Sequence, residues 1–250
     1  MRSRPPLDAV VFDAGGTLIR LDFEWMADDL RAHGHATDAA SMRLAEIGGR
    51  RAYDASAAPG TRGDVRAYFR GTLEAVGVPL GLVGPAVDRF LERENTRGLW
   101  CRPMEHAREA LDAVRGLGLR TAVVSNSDGR AERHLVSAGM RDGLEFVVDS
   151  HLVGIEKPDP AIFAVALNRL GTPPARTLYV GDIRCVDEAG AAAAGMRFVM
   201  LDPVGDYASA TPHVAGMHAL AEWVESRFEV PRPSAAARTR AGGHSGGGIP

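Results

Sequence analysis

Ala9-Val10-Val11-Phe12-Asp13-Ala14-Gly15-Gly16-Thr17-Leu18 is the stretch on which the reading of this chain turns. A short unbroken apolar run predicts a strand buried on both faces, the habit of a parallel sheet. Asp13 falls where that strand ends, and the glycines and Thr17 behind it suit a tight turn that can cradle a phosphate. A carboxylate at the mouth of a buried strand has the layout of a nucleophile. Two residues on, where such a site would carry a second carboxylate as acid/base, the chain has Gly15.

Working outward, four further runs end in polar or small residues: Arg120 to Ser125, Glu145 to Asp149, Thr177 to Gly181 and Met196 to Leu201. Segments with helical spacing separate them, over Met104 to Leu117, Arg130 to Ala138, Pro160 to Leu170 and Asp187 to Ala194. Asp159 before Pro160 reads as an N-cap followed by a first-turn proline. Strands alternating with helices predict a parallel sheet with right-handed crossovers, a doubly wound Rossmann-like α/β core. Such sheets bind ligands beyond the carboxyl ends of their strands. Residues 21–100 interrupt the alternation and read as a small all-helical cap. The core is then expected over 7–20 and 101–228, and the Pro-, Gly- and Ser-rich residues 229–250 as a disordered tail.

With 250 residues, 45% apolar and 24% charged, the chain has the make-up of a soluble globular protein. A net charge of −3 gives no reason to expect a nucleic-acid or membrane partner. Cys101 and Cys185 show no metal-ligand spacing, and the expected setting is the cytoplasm with reduced thiols. Cys185 is expected to be a small buried apolar residue. Of the 29 basic residues only Lys157 is a lysine, in a chain that otherwise uses arginine throughout. That suggests a point-charge role that arginine's planar fork does not fill.

The chemistry gathers at the predicted strand ends: Asp13, Ser125-Asn126, Asp182 after Gly181, and Lys157 in the loop Gly154 to Pro160. Singly, each has a plainer reading: a strand-end Asp is more often a cap or turn residue than a nucleophile, Ser125-Asn126 is an ordinary turn, a loop lysine is usually solvated, and Asp182 and Asp187 could cap the helix that follows. Together and in this order, the chain resembles the haloacid dehalogenase-like hydrolase superfamily, in the subfamily with a helical cap after the first strand. The likeness rests on Val-Val-Phe-Asp13-Ala-Gly-Gly-Thr17, Val-Val-Ser125-Asn126, Lys157-Pro-Asp-Pro and Gly181-Asp182 with Asp187 five residues later. The resemblance implies that Asp13 attacks phosphorus and that Ser125 and Lys157 are catalytic. Ala14, Gly15, Ser125, Asn126 and Lys157 would bind the phosphate beside Asp13. Asp13, Asp182 and the Gly15 backbone carbonyl would hold Mg²⁺, and Asp187 would order the metal's waters or Lys157.

Gly15 leaves the reaction without its usual proton shuttle, a loss of about 10²–10⁴-fold in rate. A substrate whose leaving group needs no proton, a substitute acid among Asp22, Glu24, His33 and His35, or a weakened protein that only binds a phosphorylated ligand or partner would each account for it. Non-phosphoryl chemistry is the remaining option. A lysine-free cap argues against Schiff-base phosphonate cleavage, and Asp182 argues against a 2-haloacid dehalogenase. The expected activity is a Mg²⁺-dependent phosphatase acting on a small phosphorylated metabolite, as monomer or homodimer. Gly15→Asp is expected to raise turnover if the acid is limiting. The cap arginines Arg43, Arg50, Arg51, Arg62, Arg66 and Arg70 read as solvated helix faces.

Overall fold

The computed structural model describes residues 3–203, 205–206 and 212–231. In chain order, β1 (Ala9–Phe12) and β2 (Ile19–Leu21) lead into four helices, α1 (Phe23–Ala32), α2 (Ala39–Ser56), α3 (Val65–Ala75) and α4 (Leu80–Arg97). After β3 (Trp100–Pro103) the chain alternates through α5 (Ala107–Gly116), β4 (Arg120–Ser125), α6 (Ala131–Ser137), β5 (Val147–Asp149), α7 (Ser150–Val153) and α8 (Pro160–Leu170). It ends with β6 (Thr177–Gly181), α9 (Ala189–Ala193), β7 (Arg197–Leu201), β8 (His213–Val214) and α10 (Leu220–Arg227).

Six strands form one sheet in the order β5-β4-β1-β6-β7-β8, with every pairing parallel. β1 is buried along its whole length, and its side chains divide by the two-residue period of a strand. Val10 and Phe12 pack with Leu111 and Val114 of α5 and with Leu220 and Val224 of α10. Ala9 and Val11 pack on the opposite face with Ile162, Phe163 and Leu167 of α8. Helices therefore cover both faces, and the core is doubly wound. Register sets the working edge: Phe12 lies beside Val123 and Val180, so Asp13, Ser125 and Gly181 emerge together.

The structure departs from the sequence reading in detail. The helix expected from Met104 starts at Ala107, after His106 in a left-handed conformation (φ 59°). The strand expected from Glu145 is restricted to Val147–Asp149. A wide π-helical turn over Arg184–Glu188 precedes α9 where one helix was expected. β8 adds a short sixth strand.

Leu21, Phe23, Met26, Phe69 and Phe90 anchor a separate apolar core among α1–α4, which also takes in Ile183 and Val186 from the loop after β6. β2 and β3 pair antiparallel where the chain enters and leaves this helical block, with a register shift between Arg20 and Leu21. Boundaries drawn at 20/21 and 100/101 thus fall inside a paired ribbon. At the other end, the Glu229 amide donates to the Pro5 carbonyl and its carbonyl accepts from Leu7, while the expected tail from 232 onward lies outside the described residues. Among the described residues no helix is long and apolar enough to cross a membrane.

Candidate active site

Asp13 is the first residue after β1, with its amide donating to the Val180 carbonyl at 2.8 Å. Its Oδ1 accepts from Lys157 Nζ at 2.7 Å. Lys157 is fully buried, and its ammonium has three partners: Asp13, Asp187 Oδ1 at 2.7 Å and the Tyr179 hydroxyl at 2.9 Å. Burial opposes the charge of Lys157, but the two carboxylates more than offset this and hold it firmly protonated. Burial likewise drives Asp13 up to about 6, against the pull of Lys157 and with the help of Asp187.

Asn126 fixes the lysine's backbone from both sides. Its Oδ1 accepts the Lys157 amide at 2.7 Å, and its Nδ2 donates to the Lys157 carbonyl at 2.9 Å. Asp187 braces both the lysine and the loop after β6. While Oδ1 meets Lys157, Oδ2 accepts the amides of Asp182 and Ile183 at 3.1 and 3.0 Å. The π-helical turn aims Asp187 back at that loop, a use common to such turns at functional sites.

Asp13, Asp182 and Asp187 each offer a carboxylate oxygen within 4.8 Å of the others. Both oxygens of Asp187 are already engaged, whereas Asp182 Oδ1 is buried with no hydrogen-bond partner. Burial pushes Asp182 well above the carboxylate range, with Arg50 pulling the other way. Counted as ionised, Asp13, Asp182, Asp187 and Glu46 face only Lys157 and Arg50, leaving two negative charges. An oxygen-rich, under-compensated cluster with an orphaned carboxylate oxygen fits a hard divalent cation.

A cavity of about 540 Å³ opens over this cluster, lined by Asp13, Ala14, Gly15, Ser125, Asn126, Lys157 and Asp182. Gly16 has φ +79°, and a Cβ there would fall 2.2 Å from Asp182 Oδ2, so only glycine lets the turn close on that carboxylate. At Gly15 the neighbour is different. A Cβ built there would lie 2.9 Å from Trp100 Cδ1, 3.3 Å from Cγ and 3.4 Å from Nε1. The indole of β3 stands where an acid side chain would begin.

The family model for haloacid dehalogenase-like hydrolases matches residues 7–195. The chain belongs to that family. Haloacid dehalogenase-like hydrolase domain-containing protein 3 of Mus musculus is 39% identical over 127 residues, half of each chain, so the match spans only half of that relative. N-acetylmuramic acid 6-phosphate phosphatase of Pseudomonas aeruginosa is 30% identical over 208 residues, 80% of this chain and 86% of that protein. A crystal structure of a dehalogenase with an intermediate complex superposes with a TM-score of 0.59 at 20% identity, over 88% of this chain and 98% of that one. That last likeness shows the fold alone.

The geometry of this family member brings Asp13, Ala14, Gly15, Ser125, Asn126, Lys157, Asp182 and Asp187 together. The candidate substitute acids stay away from the cavity. Asp22 caps α1 and pairs with Arg102 at 3.1 Å, Glu24 pairs with Arg20 at 3.0 Å, and His33 meets the Asp29 carbonyl at 2.7 Å. His35 also lies outside the cavity lining. Cys185 is half-buried rather than core, and burial together with Asp54 pushes its thiol up to about 12.

The sequence reading missed three residues. Tyr179, in the middle of β6, accepts from Lys157 and donates to the Val124 carbonyl at 2.9 Å. A phenolic hydroxyl in the buried middle of an otherwise apolar stretch was its only signal. Trp100 gave none. Arg50 corrects the solvated-face reading: on α2 it is 3% exposed, pairing with Glu46 at 3.3 Å and with Asp182 Oδ2 at 3.5 Å. Tyr68 completes that cluster by donating to Glu46 at 2.7 Å.

Proposed function

We propose that this hydrolase is a phosphatase of small phosphorylated metabolites, working through an aspartyl-phosphate on Asp13. The observation that carries the reading is Asp13 at the floor of the cavity, its Oδ1 held by a buried lysine that Asp187 and Tyr179 fix in turn. With Oδ1 engaged, Oδ2 is left to form the bond to phosphorus as the ester P–O bond breaks, dividing one hard transfer into two easier ones. Ser125, Asn126 and the backbone at Ala14 and Gly15 would hold the non-bridging oxygens beside Lys157. Asp13, Asp182 and the Gly15 carbonyl would hold Mg²⁺, which would supply charge stabilisation for the transferring group. The phosphatase name of the Pseudomonas aeruginosa relative, aligned over most of both chains, supports the same reaction class.

Phosphate release from a panel of phosphorylated metabolites, with Mg²⁺ and with EDTA, tests the reading. Wild type is expected to release phosphate only with Mg²⁺, and Asp13→Asn to release none. Equal release by the two proteins on every compound defeats the proposal and leaves a protein that binds phosphorylated ligands without turnover. The Trp100 indole at Gly15 gives that second reading its footing.

A further inference from the structure

We infer that the leaving group departs from this site unprotonated, so that its substrates are phosphates of an already stable anion: aryl, enol or acyl phosphates. This rests on the phosphatase reading above. The position from which a proton would come is filled. Trp100 Cδ1 stands 2.9 Å from where a Gly15 Cβ would lie, and Trp100 is itself wedged against Tyr68 and Phe69 at ring-centroid distances of 5.8 and 5.6 Å. Its strand pairing opposite Leu21 fixes the backbone behind it. An indole N–H donates hydrogen bonds but does not act as a carboxylic acid.

Four other titratable groups of the cavity wall are committed elsewhere, Glu156 among them through Arg62 at 2.7 Å, which leaves His134 and His151 as the acids the test below must exclude. The Tyr68 hydroxyl is bound to Glu46. Glu94 accepts the Leu99 amide, and Asp128 is paired with Arg130 at 2.5 Å. One wall of the cavity is thus aromatic where related chemistry needs an acid, and a planar leaving group suits that wall.

The step balances without an acid. An oxygen of Asp13 forms the bond to phosphorus, and the ester P–O bond breaks with its electron pair staying on the leaving oxygen as RO⁻. Water then attacks phosphorus, the P–O bond to Asp13 breaks to return the carboxylate, and both of the water's protons end on the released phosphate. Ester dianion plus water becomes RO⁻ plus H₂PO₄⁻. The same missing group would have activated that water, so the second half-reaction is slow and common to all substrates.

Stopped-flow and steady-state release from para-nitrophenyl, phenyl and ethyl phosphate by the full wild-type chain, with Mg²⁺, reads both consequences. kcat/KM should fall by about 10²–10⁴-fold from the nitrophenyl to the ethyl ester, the size of the absent acid's contribution. The nitrophenyl ester should also show a burst approaching one equivalent per site before a slower steady state. Equal kcat/KM for aryl and ethyl esters reveals a substitute acid, overturning the inference while the phosphatase reading stands. Absence of Asp13-dependent release from all three defeats the phosphatase reading itself. A Gly15→Asp/Trp100→Gly double variant should lift the ethyl ester selectively and flatten the series. Trp100→Phe should leave the series steep.

Discussion

At the scale of single residues, Gly15 changes meaning between sequence and structure. In the sequence it is a missing acid, and adding one should help. In the structure the space is taken, since a Cβ at 2.9 Å from an indole carbon is closer than packed atoms tolerate. Gly15→Asp alone must therefore displace Trp100 and, through it, Tyr68 and Phe69. Overpacking of this kind costs about 1–3 kcal/mol. Thermal melts should show the single variant less stable than wild type, with Gly15→Asp/Trp100→Gly recovering part of the loss. A single variant that is both as stable as wild type and faster on alkyl phosphates would restore the simple missing-acid account. Asp13, Lys157 and Asp182 were legible because each follows a buried run or stands out by rarity. Trp100 was not legible: nothing local in Gly-Leu-Trp-Cys announces a contact with a turn that lies beyond the whole helical block.

Among secondary-structure elements, α2 couples the helical block to the sheet edge that carries the candidate site. Arg50 joins Glu46 one turn earlier to Asp182 after β6, and its guanidinium also approaches the Leu201 carbonyl of β7 at 3.5 Å. Two of its neighbours on the block stay in water, Arg43 paired with Glu105 and Arg66 with Asp88. Exposed pairs of that kind contribute about 0–1 kcal/mol. Removing one partner of a buried pair strands the other charge, at a cost of about 3–5 kcal/mol. Arg50→Met should accordingly destabilise the metal-free protein by that amount in urea, far more than Arg66→Met. Glu46→Gln added to it should recover part of the loss, and similar effects of Arg50→Met and Arg66→Met would remove Arg50 from this role. The alternation of strands and helices gave away the sheet, because apolar runs with a period of two faces are written locally. β2, β3 and β8 escaped notice because pairs of two to four residues carry too little pattern. Arg50 escaped because its burial depends on how α2 lies across the sheet edge, and the sequence makes it one arginine among many.

For the whole molecule, the uncompensated charge of the site should make stability depend on pH and, on the reading proposed above, on a divalent cation together. Burial raises Asp13 from 3.8 to about 6, so the folded metal-free chain holds this proton more tightly than the unfolded chain does. Its contribution to stability is fully present below 3.8 and is lost as the pH rises through about 6. At about 1.4 kcal/mol per pH unit, the loss approaches 3 kcal/mol. Asp13→Asn carries no such charge and leaves Lys157 with Asp187 and Tyr179 as partners. In EDTA the variant should therefore gain on wild type as the pH climbs from 4 to 7, with most of the gain near 6. Mg²⁺ should reverse the order by binding folded wild type through Asp13 and Asp182, at a concentration a hundredfold above its Kd adding about 2.7 kcal/mol. Asp182→Asn should melt higher than wild type in EDTA and respond little to Mg²⁺, because it removes a buried carboxylate whose Oδ1 has no partner, along with a ligand. Differential scanning calorimetry of the three proteins across pH, with and without Mg²⁺, measures all of this. A wild type that melts identically in Mg²⁺ and EDTA would mean that Arg50 and Lys157 already balance the cluster, and that the site works without a divalent cation.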